Sequence, residues 1–254
     1  MKAIVLTSSS YRHKYFAAIV SKQFELAAVV CEEKRNYYKS QREQSNLIKK
    51  HFKNLAETEK KWFQIPDDSH LPDFIHVDDI NSADTLNMVA SLDADCVLLY
   101  GTSILKSPWL EAFPEKIINL HLGLSPYYRG SATLFWPFAF QELEYLGTTI
   151  HLAIEKVDAG AVLHQVLPNL ESGDDYYTIT NRLIRDSINV LPNVVADYLA
   201  GKNIPKSQEL SIGRICKKAD FNEDVLTNVH DYIGDGLAQE EINRIKEARC
   251  HLLL

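Results

Sequence analysis

The chain has 254 residues, 46% of them hydrophobic and 24% charged, with a formal net charge of −7. That length supports one large domain, or one domain with a small appendage, and the composition is that of an ordinary globular protein. The acidic balance argues against nonspecific binding to nucleic acid or an anionic membrane, but not against a small anionic ligand gripped by one or two arginines.

The N-terminal run Ala3–Leu6 is too short for a signal peptide or a membrane span, and no other stretch is long enough to cross a bilayer. The four cysteines, Cys31, Cys96, Cys216 and Cys250, are scattered without a CxxC pair. Cys31 and Cys96 stand at apolar strand positions and read as reduced core residues, so a cytoplasmic location is expected.

In chain order, residues 2–7 predict a buried strand, followed by a polar turn and a helix to about Lys22. Leu26–Cys31 predicts a second buried strand, so the chain opens with a βαβ unit and a parallel sheet. Residues 32–64 are highly charged, with Leu47, Ile48, Phe52 and Leu55 at helical spacing, and predict a long exposed helix. A short strand at 74–77, a helix near 83–92, a strand at 95–101 and a Pro-containing helix near 107–113 follow. The β-branched run from Lys116 supplies the next strand and breaks at Ser125-Pro126. A helix is expected over 131–142. Residues 147–155 and 161–167 then form a hairpin through Lys156–Gly160, making the sheet mixed. A long amphipathic helix spans 176–199, and Gly201 and Pro205 mark a break. Beyond it a strand near 213–217 and helices at 223–232 and 238–249 form a small α/β C-terminal extension. The domains are therefore 1–204 and 205–254.

Three residues stand out for chemistry. Side chains alternate along a strand, so Asn119 and His121 share one face while Ile118 and Leu120 share the other. Asp158 falls at the hairpin tip beside Gly160, where a carboxylate can be aimed back across the sheet edge. A carboxylate holds a histidine in one tautomer and stabilises its protonated form, and an amide NH2 can donate to a developing oxyanion. Such a set suits acyl or formyl transfer to an amine. The plain alternatives are a structural Asn-x-His pair and an Asp serving only turn chemistry. His151 and His164 lie on the two hairpin strands and could face each other, but no third ligand has suitable spacing, so no metal is expected. His13, His76 and His230 read as ordinary polar or partly buried residues.

The stretch Asn119-Leu120-His121-Leu122-Gly123-Leu124-Ser125-Pro126-Tyr127-Tyr128-Arg129-Gly130 resembles the signature of formyltransferases that use 10-formyltetrahydrofolate. Gly147–His151 and Val157–Gln165 resemble that family's second block. The resemblance spans roughly residues 1–200 and implies a Rossmann-like α/β domain. It also implies Asn119 as oxyanion donor, His121 as acid/base and Asp158 as the group that raises the histidine's pKa and positions a proton-relaying water. By the same likeness Ser103, Ile104 and Leu105, with the backbone of Ile154, Glu155, Lys156 and Val157, line the pterin pocket.

One departure stands out: the usual Ser-Leu-Leu-Pro is here Gly123-Leu124-Ser125-Pro126. That version, followed by Phe135-Trp136-Pro137-Phe138, looks most like the enzymes that formylate amino sugars for bacterial surface polysaccharides. Their acceptors are nucleotide-linked sugars. Tyr11, Tyr127, Tyr128 and Trp136 could stack on a base or sugar, and Arg12 and Arg129 could pair with a diphosphate. Trp136 and Phe138 read equally well as core. By this resemblance the chain ends too early for the tRNA-binding β-barrel of the initiator-tRNA enzyme and lacks the regulatory domain of formyltetrahydrofolate hydrolases. The expectation is a cytoplasmic, metal-free N-formyltransferase acting on a small amine, most readily a nucleotide-linked amino sugar. Formylation of glycinamide ribonucleotide and hydrolysis of formyltetrahydrofolate are the rivals. The apolar segments 212–216 and 252–254 are expected to pack on the core or on a second copy of the chain.

Overall fold

Alternation along the first strand buries the sheet on both faces. In a computed structural model that describes residues 1–33, 45–65 and 71–250, β1 (Lys2–Thr7) sends Ala3 and Val5 into one apolar layer and Ile4 and Leu6 into the other. All four are fully buried, as a parallel strand covered by helices on both sides must be.

Beside it lie β2 (Glu25–Glu32), β3 (Phe74–Val77), β4 (Cys96–Leu99) and β5 (Ile117–His121), all parallel. A short β6 (Tyr128–Gly130) leaves this sheet. β7 (Thr148–Leu152) and β8 (Val162–Val166) complete it as antiparallel strands, giving the order β3-β2-β1-β4-β5-β7-β8. The chain builds outward from β1 to β3 and then returns to place β4 on the other side of β1. The carboxyl ends of β1 and β4 therefore form a switch point, where open α/β sheets bind ligands.

The helices are α1 (Tyr11–Val20), α2 (Asn46–Trp62), α3 (Ala83–Ala90), α4 (Ser107–Ala112), α5 (Trp136–Ala139), α6 (Tyr176–Leu199), α7 (Glu223–Ile233) and α8 (Gln239–Arg249). β9 (Arg214–Cys216) pairs in parallel with β6 as a separate two-stranded sheet. Cys216, Phe221, Leu226, Val229, Ile242 and Ile245 share one apolar layer with the strands, so residues beyond 204 pack on the same core.

Three expectations are corrected. The helix foreseen over 131–142 shrinks to the four residues of α5, because Ala132 and Gln141 take positive φ of 57° and 56° and Pro137 fits only a helix's first turn. The five-residue hairpin connection is nine residues long, 153–161. The helix foreseen over 32–64 spans Asn46–Trp62 among the described residues; residue 32 closes β2, and 34–44 lie outside the described residues, as do 252–254.

His51 is a buried joint between helices. Its Nδ1 lies 3.0 Å from the Tyr177 hydroxyl of α6, and its ring packs among Phe135, Tyr176, Phe221 and His230. Burial, reinforced by the nearby His230, pushes its pKa down from 6.5 to about 4. A histidine whose folded pKa is depressed contributes stability that is full above pH 6.5 and is lost as pH falls towards 4, here about 3 kcal/mol in all. Thermal unfolding followed from pH 7.5 downward should show this loss, and His51→Phe should flatten it. Equal slopes in the two proteins would refute the assignment.

Candidate active site

The site starts with β5. Ile118 and Leu120 face one apolar layer, Ile117 the other, and strand parity puts Asn119 and His121 on the Ile117 side. Past His121 the chain turns through Ser125-Pro126, a cis peptide. The turn is pinned by Thr149, whose Oγ1 donates to Gly123 O at 2.7 Å and accepts from Ser125 N at 2.9 Å. At Gly123 an added Cβ would overlap His121 Nε2 and crowd Tyr128 O at 2.5 Å. The absence of a side chain there lets Tyr128 O approach His121 Nε2 to 2.9 Å.

Asp158 belongs to the 153–161 connection and takes a left-handed backbone, φ 49°. Its Oδ2 accepts from Gly130 N at 2.9 Å and lies 3.4 Å from His121 Nδ1. Its Oδ1 lies 3.4 Å from Asn119 Nδ2 and 3.6 Å from His151 Nε2. The structure thus brings Asn119, His121 and Asp158 together.

It also adds a fourth member. Antiparallel pairing of β5 and β7 sets His151 opposite Asn119, and Asn119 Nδ2 contacts His151 Nε2 at 3.1 Å. His151 Nδ1 is 2.8 Å from Leu152 O. The expected facing of His151 and His164 does not occur. A register shift in the hairpin pairs His151 with Val162 and His164 with Ile150, so the two rings do not sit opposite each other. Among the described residues no cluster of three or more His, Cys, Asp or Glu could hold a metal ion.

The hydrogen-bond partners assign the protons. A backbone carbonyl only accepts, so His121 carries a proton on Nε2 and His151 on Nδ1. His151 Nε2 then accepts one N–H of Asn119. Among the described residues the amide's other N–H makes only the long contact to Asp158, which leaves it available to an oxyanion. Burial raises the Asp158 pKa, but His121, His151 and the Gly130 N–H outweigh it and hold the group below the ordinary carboxylate value. His121 is shifted down, because complete burial outweighs the raising effect of Asp158. At rest the site holds a neutral imidazole with Nδ1 free to take a proton, and a carboxylate placed to receive the resulting charge.

A cavity of about 1490 Å³ opens on this cluster and straddles the carboxyl edge of the sheet. On one face it is walled by the loops after β4 and β7, including Ser103, Ile104, Leu105, Ile154 and Val157. On the other it is walled by α1, with Tyr11 and Arg12, and by α2 and α6. Glu155 instead lines a separate pocket of about 350 Å³, and Lys156 lines neither.

Tyr127, Tyr128 and Arg129, expected to meet the acceptor, are not among the residues that line this cavity. Tyr128, next to β9, is buried and its hydroxyl donates to Glu142. Tyr127 packs its ring 4.7 Å from Tyr145. Arg129 is buried, and its Nε and Nη1 meet no hydrogen-bond partner among the described residues. Trp136 and Phe138 are core.

Sequence reasoning missed the residues that shape the walls. Glu32 ties down the 101–105 loop, accepting from Ser103 N at 2.6 Å and Ile80 N at 3.2 Å. Glu59 of α2 accepts from Arg12 N at 3.2 Å and lies 3.7 Å from Arg12 Nε. A carboxylate four residues beyond Leu55, in the charged C-terminal part of the helix, carried no local signal.

Fold and site together define a class: an α/β protein with an amide, two imidazoles and a carboxylate converging on one cavity, equipped for acyl transfer to an amine. The family model described as formyl transferase matches residues 1–195, and the chain belongs to that family. The methionyl-tRNA formyltransferase of Listeria welshimeri is 33% identical over 119 residues, 46% of this chain and 38% of that protein. The matched stretch spans only 38–42% of the first curated relatives' length. Among solved structures, glycinamide ribonucleotide transformylase 1 from Symbiobacterium toebii superposes with a TM-score of 0.58 at 17% identity, covering 82% of this chain and 94% of its own. The formyltransferase PseJ from Anoxybacillus kamchatkensis, in complex with UDP-4,6-dideoxy-4-formamido-L-AltNAc and tetrahydrofolate, gives 0.55 at 18%, covering 93% and 100%. At these identities the likeness establishes the shared fold.

Proposed function

We propose that the protein is a cytoplasmic N-formyltransferase that moves the formyl group of 10-formyltetrahydrofolate to the amine of a nucleotide-linked amino sugar. The observation that carries this reading is the position of Asn119, His121 and Asp158 in a single cavity walled on both faces of the sheet. Two substrates can then meet at one point. The loop 101–105, with Ile154 and Val157, offers apolar side chains and backbone groups to the flat pterin. The helical wall takes the acceptor. Its amine attacks the formyl carbon, the oxyanion is met by Asn119, and His121 takes the amine's proton and returns one to the departing folate nitrogen. Asp158 steadies the imidazolium between these steps. The residues need no metal for this chemistry.

The acceptor wall supports a sugar. Glu59 already places a carboxylate at the N-terminus of α1, the position that in related folds attracts a phosphate. Its free valences, and Oδ1 of Asn181, whose Nδ2 is held by Tyr177 O at 2.9 Å, can accept from hydroxyls or an ammonium. Arg12, beside Glu59, and Lys14 and Lys218 also line the cavity and supply cations for a diphosphate. The fold likeness to PseJ also extends over more of this chain than the likeness to the ribonucleotide enzyme.

The test is a transfer assay with 10-formyltetrahydrofolate against nucleotide-linked amino sugars, glycinamide ribonucleotide and methionyl-tRNA, read by mass spectrometry. A nucleotide sugar should gain one formyl group. Formylation of either other acceptor instead would overturn the sugar assignment, and folate release independent of any amine would make the protein a hydrolase.

A further inference from the structure

We infer that the segment after residue 204 completes the catalytic centre through Gln208, a positioning residue that fixes the loop carrying Asp158. The inference rests on the role given to Asp158 above.

Asp158 sits in a left-handed conformation in the middle of a nine-residue connection. Asp is among the residues that accept that region, yet it still carries a backbone cost that bonds from outside the loop offset. Ser125 Oγ donates to Asp158 O at 3.3 Å, and the C-terminal segment adds two further routes. In the first, Lys206 exchanges both backbone hydrogen bonds with Val162, at 2.7 and 2.8 Å, which lays the chain along the free edge of β8. Two residues on, the Gln208 amide donates from Nε2 to Asp158 O at 3.1 Å and to Gly160 O at 2.6 Å. One side chain thus grips the backbone on either side of Ala159.

The second route holds the carboxylate end. β9 pairs with β6, with Arg214 N donating to Tyr127 O at 2.8 Å and Ser131 N to Cys216 O at 2.9 Å. Between those bonds lies Gly130, whose N–H holds Asp158 Oδ2. Both the backbone and the carboxylate of Asp158 are therefore referenced to residues 206–216.

Fold stability is a poor explanation for Gln208. Its Oε1 is buried without a hydrogen-bond partner among the described residues, a desolvation cost that a purely structural side chain would avoid. Its Nε2 is committed to the one loop that carries the catalytic carboxylate.

The experiment compares wild type with Gln208→Met, an unbranched side chain of similar length with no donor, and Gln208→Glu, which keeps the shape but presents a carboxylate to two carbonyls. Both should lower kcat about 10²-fold, the cost of displacing a catalytic group by roughly 1 Å. KM for the folate should stay near wild type, and Tm for the Met variant should be unchanged or higher. The acid limb of the pH–rate profile should move to lower pH in both, because His121 loses the carboxylate that supports its charge. Wild-type kcat and pH profile in both variants would overturn the inference, as would activity that merely tracks a lowered Tm. Asp158→Asn run alongside separates the two levels. If that variant keeps wild-type activity, the catalytic reading itself has failed.

Discussion

Asp158→Asn is expected to lower kcat for formyl transfer by about 10²–10⁴-fold, the range contributed by a positioned acid/base system, and His121→Ala by at least as much. The amide still accepts from Gly130 N, so the loop stays in place and Tm should change little. What is lost is the negative charge 3.4 Å from His121 Nδ1. In the wild type, burial pushes the His121 pKa below 6.5 and Asp158 partly offsets that push. Activity should therefore fall as pH drops through a value below 6.5, as the base becomes protonated. In Asp158→Asn the offset disappears, so the surviving activity should show an acid limb at still lower pH. Rate and limb are both read from kcat/KM between pH 4.5 and 8.5. Near-wild-type turnover in either variant, or an acid limb that does not move in Asp158→Asn, would sink the mechanism.

Gly160→Ala is the second large effect. An added Cβ would overlap Leu152 O, lie 2.8 Å from the carbonyl carbon of Leu152 and come within 3.3 Å of His151 Nδ1. The two Leu152 atoms are backbone at the end of β7 and cannot swing aside as a flexible side chain would. Leu152 O is also the acceptor that fixes the His151 tautomer. Overpacking of this kind costs about 1–3 kcal/mol, and the displaced carbonyl should release His151 and through it Asn119. Denaturant midpoint and kcat should fall together. A variant with both unchanged would show that the loop has more room than the geometry allows.

Much of this molecule was legible in its residues. The strands foreseen at 2–7 and 95–101 became β1 and, trimmed to Cys96–Leu99, β4, because a strand buried on both faces is apolar along its length. Tyr176–Leu199 became α6 with the foreseen bounds, its N-terminus set by Asp175, whose side chain accepts from Thr178 N. Asn119 and His121 were placed on one face by parity alone. Other features depended on partners distant in the chain. Tyr127, Tyr128 and Arg129 read as acceptor contacts, but β9, more than eighty residues later, pairs with that stretch, and Tyr128 and Arg129 are buried. The 131–142 stretch was expected to be one helix, yet positive φ at Ala132 and Gln141 interrupts it. His151 belongs to the site only because β7 pairs with β5 in a register that sets it opposite Asn119.

Sequence by itself therefore determined the α/β class, the parallel core and the three residues on which the proposed formyl transfer rests, because periodicity and short motifs are local properties of the chain. The tertiary structure alone decided how those residues become a site. It supplied His151 through strand register, the walls of the cavity through Glu32 and Glu59, and the hold on Asp158 through Gln208. Each of these is a contact between segments far apart in sequence, set by packing and hydrogen-bond geometry rather than by any pattern within one segment.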